Sequence, residues 1–109
     1  MRLKDKIKKI VKLIEDKKGE NTIVLDLGSL TWITDYFVIT SGTSLIQTKA
    51  IAENIIENVK ETPISVEGIE DGKWILIDYD EIIVHIFLDE VRNYYKLEKL
   101  WADAKEVKI

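Results

Sequence analysis

Apolar and polar positions follow two different periods along this chain. Between positions 3 and 18 the apolar residues recur every three or four positions, with charged residues between them, which predicts an amphipathic helix. Gly19 stands where a glycine commonly ends a helix. A second helix is predicted over 44–61, because Ser44 and Gln47 have capping-box spacing and an apolar stripe follows them.

Five segments have the composition of strands. They are short, rich in β-branched and aromatic residues, and bounded by turn residues; they are 22–27, 35–41, 64–67, 73–79 and 82–88. Asp89 is the predicted N-cap of a short third helix, and 97–101 adds one helical turn before a polar tail. The order α-β-β-α-β-β-β-α predicts a single α+β domain over residues 1–109, with a mixed sheet of about five strands and helices packed on it.

The two strands 73–79 and 82–88 are the most informative part of the chain. The first alternates, with Trp74, Leu76 and Asp78 on one face, and the second is apolar on both faces. Such strands need cover on both sides. The two long helices can cover one face and the C-terminal helices the other, or helix 44–61 can take the second face. In a domain this small, part of that face is also available to another protein.

The amino-acid composition excludes several kinds of site and partner. The chain has no cysteine and one histidine, which excludes disulfides, cysteine-ligated metal sites and multi-histidine zinc sites. A net charge of −4 argues against a general binder of nucleic-acid backbones. No apolar run approaches the roughly 20 residues that span a bilayer, and the basic N-terminus lacks the features of a signal peptide. We therefore expect a cytoplasmic protein.

Acidic residues concentrate around the predicted hairpin. Residues 67–81 hold six acids and one base, Lys73, for a local net charge of −5. Large apolar residues and a tryptophan stand beside this charge, without a nucleophile or metal-binding cluster. This combination indicates a surface that binds a basic partner. The lysines of the first helix are interpreted as a solvated helix face. His85, between apolar neighbours, is interpreted as a structural residue hydrogen-bonded to Asp78 or to a backbone carbonyl.

Several motifs, in order along the chain, resemble those of one known family. They are Trp74-x-x-x-Asp78-Tyr79, Val84-His85-x-Phe87, Arg92-x-x-Tyr95-x-Leu97-Glu98-x-Leu100-Trp101, Thr34–Ile39, Ser41–Ser44 and Val66-Glu67-Gly68. Over residues 3–104 the chain is similar to the ribosomal silencing factors, or Iojap-like proteins. The resemblance implies a nucleotidyltransferase-like fold without recognised catalysis, and often a homodimer. It also implies binding to the large ribosomal subunit at its protein number fourteen, which blocks an intersubunit bridge, prevents subunit joining and represses translation when nutrients are scarce.

The resemblance also implies a binding surface. In the family this surface includes the tryptophan and the acidic residue that correspond to Trp74 and Asp78. Together with the charge pattern, this predicts Trp74 and Leu76 as apolar anchors, with Asp78, Glu67 and Asp80 facing basic groups. Tyr79 either joins this contact or closes the core. Asp80 replaces a usual glycine, which puts the turn shape in question because aspartate takes a positive φ less easily.

Two alternatives remain, and neither needs a different fold. A nucleotidyltransferase would use a Gly-Ser or Gly-Thr pair (28–29 or 42–43) with Asp78 and Asp80 as Mg²⁺ ligands, but the spacings of some 50 and 36 residues are far longer than such enzymes use. An adaptor would act by homodimerisation alone, with Trp101 as a candidate interface residue. We expect no catalytic residue, cofactor or metal, and little direct contact with nucleic acid.

Overall fold

The computed structural model describes residues 3–28, 34–95 and 104–107. Its elements are α1 (Leu3–Asp16), β1 (Glu20–Asp26), β2 (Tyr36–Gly42), α2 (Leu45–Asn58), β3 (Ser65–Glu67), β4 (Trp74–Asp78), β5 (Ile82–Leu88), α3 (Asp89–Tyr95) and β6 (Lys105–Val107). The order through α3 is the predicted one, and the α+β class is confirmed. The predicted helical turn at 97–101, with Trp101, lies outside the described residues, as does Ser29.

The strands form one six-stranded mixed sheet in the order β3-β4-β5-β2-β1-β6. Strands β2 and β5 run parallel at its centre, and every other neighbouring pair is antiparallel. The sixth strand is a correction to the predicted polar tail, since Val24 of β1 pairs with Val107 of β6. Three residues, two of them charged, carry no strand signal, so only the pairing with β1 reveals this strand.

The two long helices cover one face of the sheet, called here the first face. Ile10 of α1 and Ile51 and Ile55 of α2 are fully buried there, against strand residues that include Ile75 and Ile77. Each buried side chain of this size contributes about 1.5–3 kcal/mol through burial of apolar area. The inward positions of β4 are thereby fixed, and its alternate residues must point to the opposite side.

The opposite side, called here the second face, has a smaller core beneath α3. Phe37, Ile39 and Phe87 are buried in it, with Val91 of α3 packed against them. Of the two predicted arrangements, the structure confirms the one in which both long helices pack on the same face and a C-terminal helix packs on the other. Trp74 packs at the margin of this second core.

The helix ends are set by local chemistry. The N–H of Gln47 donates to Oγ of Ser44 at 3.1 Å, which confirms the predicted N-cap of α2. Gly19 does not have the positive φ typical of a glycine that ends a helix, because Lys18 takes that conformation at φ 63°. Gly19 is needed for space instead, since a Cβ there would collide with Ile14 and approach Thr40.

Candidate partner-binding surface

Strand β4 begins at a turn built around two glycines with positive φ. Gly68 and Gly72 have φ values of 79° and 81°, and the N–H of Gly72 donates to the carbonyl of Gly68 at 2.8 Å. A Cβ on Gly68 would collide with the carbonyl of Trp74, so the turn and the start of β4 approach at backbone distance. This close approach fixes where Trp74 enters the sheet.

Trp74, Leu76 and Asp78 lie on the second face of β4, and all three are half-buried. The edge strand β3 places the exposed Glu67 directly opposite Leu76. Glu67, Trp74 and Leu76 line a shallow depression between them. We call these four residues (Glu67, Trp74, Leu76 and Asp78) the β4 patch. It joins apolar area to carboxylates, which is the combination predicted for a basic protein partner.

The hairpin between β4 and β5 ends in a turn held by Asp78. Its Oδ1 accepts the N–H of Asp80 at 2.7 Å, and Asp80 is exposed with φ 76°. Position 80 is therefore one that needs a positive φ, and aspartate is among the few residues other than glycine that tolerate it. Asp80 lies at the hairpin tip, directly after Tyr79 and two residues beyond the end of β4. With Glu67 and Asp78 it forms what we call the acidic rim.

Tyr79 lies apart from the other predicted site residues. It is 5% exposed and belongs to the core of the first face, so of its two predicted roles the structure gives it the one in the core. Nζ of Lys6 lies 4.5 Å from its ring centroid, within the range of a cation–π contact. Burial, with a smaller contribution from Glu61, raises the pKa of Tyr79 to about 12.

His85 is 4% exposed and lies on the second face, opposite Leu76. The prediction that His85 is hydrogen-bonded to Asp78 or to a backbone carbonyl is wrong. Instead, Nε1–H of Trp74 donates to Nδ1 of His85 at 3.1 Å. The imidazole also meets Phe37 edge-on, with ring centroids 4.5 Å apart. Burial lowers the pKa of His85 to about 4, so the ring is neutral near pH 7.

Trp74, Leu76 and Asp78 share a strand face as predicted, but the contacts beneath Trp74 were not predicted. Trp74 pairs across the hairpin with Phe87, and their rings are in contact with centroids 4.7 Å apart and planes inclined at 31°. His85 is the diagonal neighbour of Trp74, within reach of a long side chain. The diagonal contact could have been predicted from the sequence, because pairing the two strands around the Asp80-Glu81 tip places Trp74 opposite Phe87 and diagonal to His85.

The two aspartates that the enzyme alternative would use as metal ligands both belong to the hairpin turn. The carboxylate of Asp78 is engaged in the hairpin turn, and that of Asp80 is at its tip. Within residues 3–28, 34–95 and 104–107, no three His, Cys, Asp or Glu side chains form a group that could hold a metal ion. In the same part of the chain, no helix has the length and apolar character to cross a membrane.

Fold and surface together define a small α+β domain that exposes an aromatic and acidic patch beside an edge strand. The sequence family described as "Ribosomal silencing factor during starvation" matches residues 1–109. A ribosomal silencing factor of Bacillus subtilis is 40% identical over 93 residues, which cover 83% of this chain and 79% of that protein. The chain belongs to the ribosomal silencing factor family.

Two further comparisons agree with this assignment. A crystal structure of a Chromobacterium violaceum protein superimposes with a TM-score of 0.89 at 32% sequence identity, covering 94% of this chain and 88% of that one. A mouse protein, named for mitochondrial assembly of the ribosomal large subunit, is 30% identical over 99 residues. The match covers 85% of this chain and 43% of the mouse protein. The fold is therefore shared with a solved structure.

Proposed function

We propose that this protein silences ribosomes by binding the large subunit and preventing its joining with the small subunit. Membership of the ribosomal silencing factor family supports the ribosomal target, and the name of the mouse relative points to the large subunit. In finer detail, the contact is with large-subunit protein number fourteen. It blocks an intersubunit bridge there and represses translation in the cytoplasm.

One observation carries this proposal: the β4 patch presents Trp74 and Leu76 beside Glu67 and Asp78 on one surface. Proteins that pack on ribosomal RNA are basic, so a surface of this charge attracts them and is repelled by the RNA itself. Tryptophan is among the commonest anchors of protein interfaces. Steric occlusion of an intersubunit contact requires affinity and bulk, and it places no demand on catalytic groups.

Co-sedimentation with purified large and small subunits, followed by a subunit-joining assay, tests the proposal. Selective migration with large subunits and fewer joined ribosomes are the expected results. Absence of binding to either subunit would overturn the proposal. Thermal stabilisation by nucleotide and Mg²⁺ would then favour the enzyme alternative, because a ligand that binds only the folded state raises its melting temperature.

The isolated protein is also proposed to form homodimers, as its family resemblance implies. Sedimentation velocity over a range of concentrations tests this separately from ribosome binding. A concentration-dependent dimer that ignores ribosomes would favour the adaptor alternative. Loss of the dimer signal on addition of large subunits would show that the two associations compete.

A further inference from the structure

His85 and Trp74 form a polar contact inside an otherwise apolar part of the second face. The imidazole lies between Phe37, which it meets edge-on, and Phe87, whose ring is 6.1 Å away and nearly parallel. Nδ1 of His85 accepts the indole N–H of Trp74 at 3.1 Å. A neutral imidazole that accepts at Nδ1 carries its proton on Nε2.

Burial of the other imidazole nitrogen, Nε2, destabilises the folded protein. Nε2 of His85 is buried and has no hydrogen-bond partner among the described residues. A buried polar group without a partner costs about 1–3 kcal/mol. Leucine is apolar and would avoid that cost in the same aromatic surroundings, so packing alone does not explain the imidazole. What leucine cannot supply is an acceptor for the indole N–H.

The indole in question belongs to the β4 patch. Trp74 is half-buried, with one side against Phe87 and another lining the depression shared with Leu76 and Glu67. The contact with Phe87 has no strong directional preference, whereas the hydrogen bond at Nε1 is directional and favours one combination of the χ1 and χ2 angles of Trp74. A side chain held in its bound orientation loses less entropy when a partner docks.

We propose that His85 is a positioning residue of the partner-binding surface: it accepts the indole N–H of Trp74 and so holds the ring in the orientation that the partner meets. This inference rests on the proposed function and deepens it. His85 itself is buried beneath the surface and acts through Trp74, without touching the partner.

The test compares two substitutions of His85. His85→Leu removes the acceptor and keeps an apolar side chain, whereas His85→Asn keeps an amide oxygen near the position of Nδ1. The matched control is Ile39→Val, which trims a fully buried residue directly opposite His85 on β2. Urea unfolding establishes which variants fold, and His85→Leu is expected to be about as stable as the wild type near neutral pH.

Two readouts are then compared. The first is the indole N–H resonance of Trp74 in a proton–nitrogen NMR spectrum, assigned among the three tryptophans by its loss in Trp74→Phe. The second is affinity for purified large subunits, measured by co-sedimentation. In His85→Leu the resonance should shift, its exchange with solvent should speed up, and affinity should fall about tenfold, the scale of one hydrogen bond. His85→Asn should recover most of both, and Ile39→Val should change neither.

The outcomes separate this inference from the function on which it rests. A folded His85→Leu protein that keeps either the wild-type resonance or the wild-type affinity would overturn the positioning role while the wild type still binds. Equal losses in Ile39→Val would also overturn it, because they would trace the effect to the core in general. Failure of the wild-type protein to bind large subunits would instead overturn the proposed function, whatever the spectrum shows.

Discussion

At the scale of single residues, Trp74 links the core of the second face to the β4 patch. Trp74→Ala should weaken binding to large subunits by about 30-fold or more, since truncating a tryptophan anchor typically costs about 2–4 kcal/mol. Co-sedimentation titrations measure this effect, and urea unfolding reports the smaller loss from the Phe87 contact. Ile46→Ala is the matched control, because Ile46 is 84% exposed on α2, away from the second face. A folded Trp74→Ala protein with wild-type affinity would place the interface elsewhere.

The buried imidazole gives a second prediction, for stability against pH. The pKa of His85 is about 4 in the folded protein and 6.5 in the unfolded chain, because burial penalises the charged form. The unfolded state therefore binds more protons below pH 6.5, so the stabilisation is complete above that value and is lost as the pH falls towards 4. Between pH 7 and pH 5 this component should cost the wild type about 2 kcal/mol.

Comparison with His85→Leu isolates that component, because the two proteins share every other ionisable group, including Asp78 and Glu67 on the same face. Urea unfolding at several pH values should give a shallower dependence for the variant. Parallel curves for the two proteins would show that His85 titrates normally in the folded state.

At the scale of elements, the turn between β4 and β5 places an aspartate, Asp80, in a conformation that favours glycine. Asp80 holds φ 76°, and its N–H is bonded to Asp78. Strain in this conformation destabilises the fold by about 1 kcal/mol for a residue with a Cβ atom. Glycine avoids this strain, but it loses more conformational entropy on folding, which offsets part of the gain. Asp80→Gly should therefore raise the free energy of unfolding by about 0.5 kcal/mol, and Asp80→Ala should lower it by a similar amount. Urea midpoints measure both, and a destabilised Asp80→Gly protein would contradict this account of the turn.

The same scale shows why prediction from sequence succeeded for most elements. Strand β5 was predicted at its observed bounds, because a long apolar run between turn residues has few other interpretations. Strand β6 was missed because its stability comes from β1, which lies about 80 residues away in sequence. Helix α1 ends at Asp16, two residues before the predicted end at position 18, because Lys18 takes the left-handed conformation while Gly19 serves packing. Long-range contacts decide such cases, and local patterns do not record them.

At the scale of the whole molecule, charge is distributed unevenly over the surface. The chain as a whole carries −4, yet residues 67–81 alone carry −5, so the rest of the protein is close to neutral. This places the negative field around the β4 patch and the hairpin tip. Such a field speeds encounter with a basic partner more than it strengthens the final complex, and salt screens it over about 8–10 Å.

The last prediction follows from that field. Raising monovalent salt from about 0.05 M to 0.2 M should weaken binding to large subunits several-fold, mainly through slower association. The double variant Glu67→Gln/Asp80→Asn should bind more slowly at low salt and depend less on salt, because it removes two charges from the rim. Glu53→Gln/Glu57→Gln removes the same charge from exposed positions on α2 and should keep the wild-type salt dependence. If both double variants respond alike, net charge rather than its location controls the encounter, and the acidic rim has no specific part in recognition.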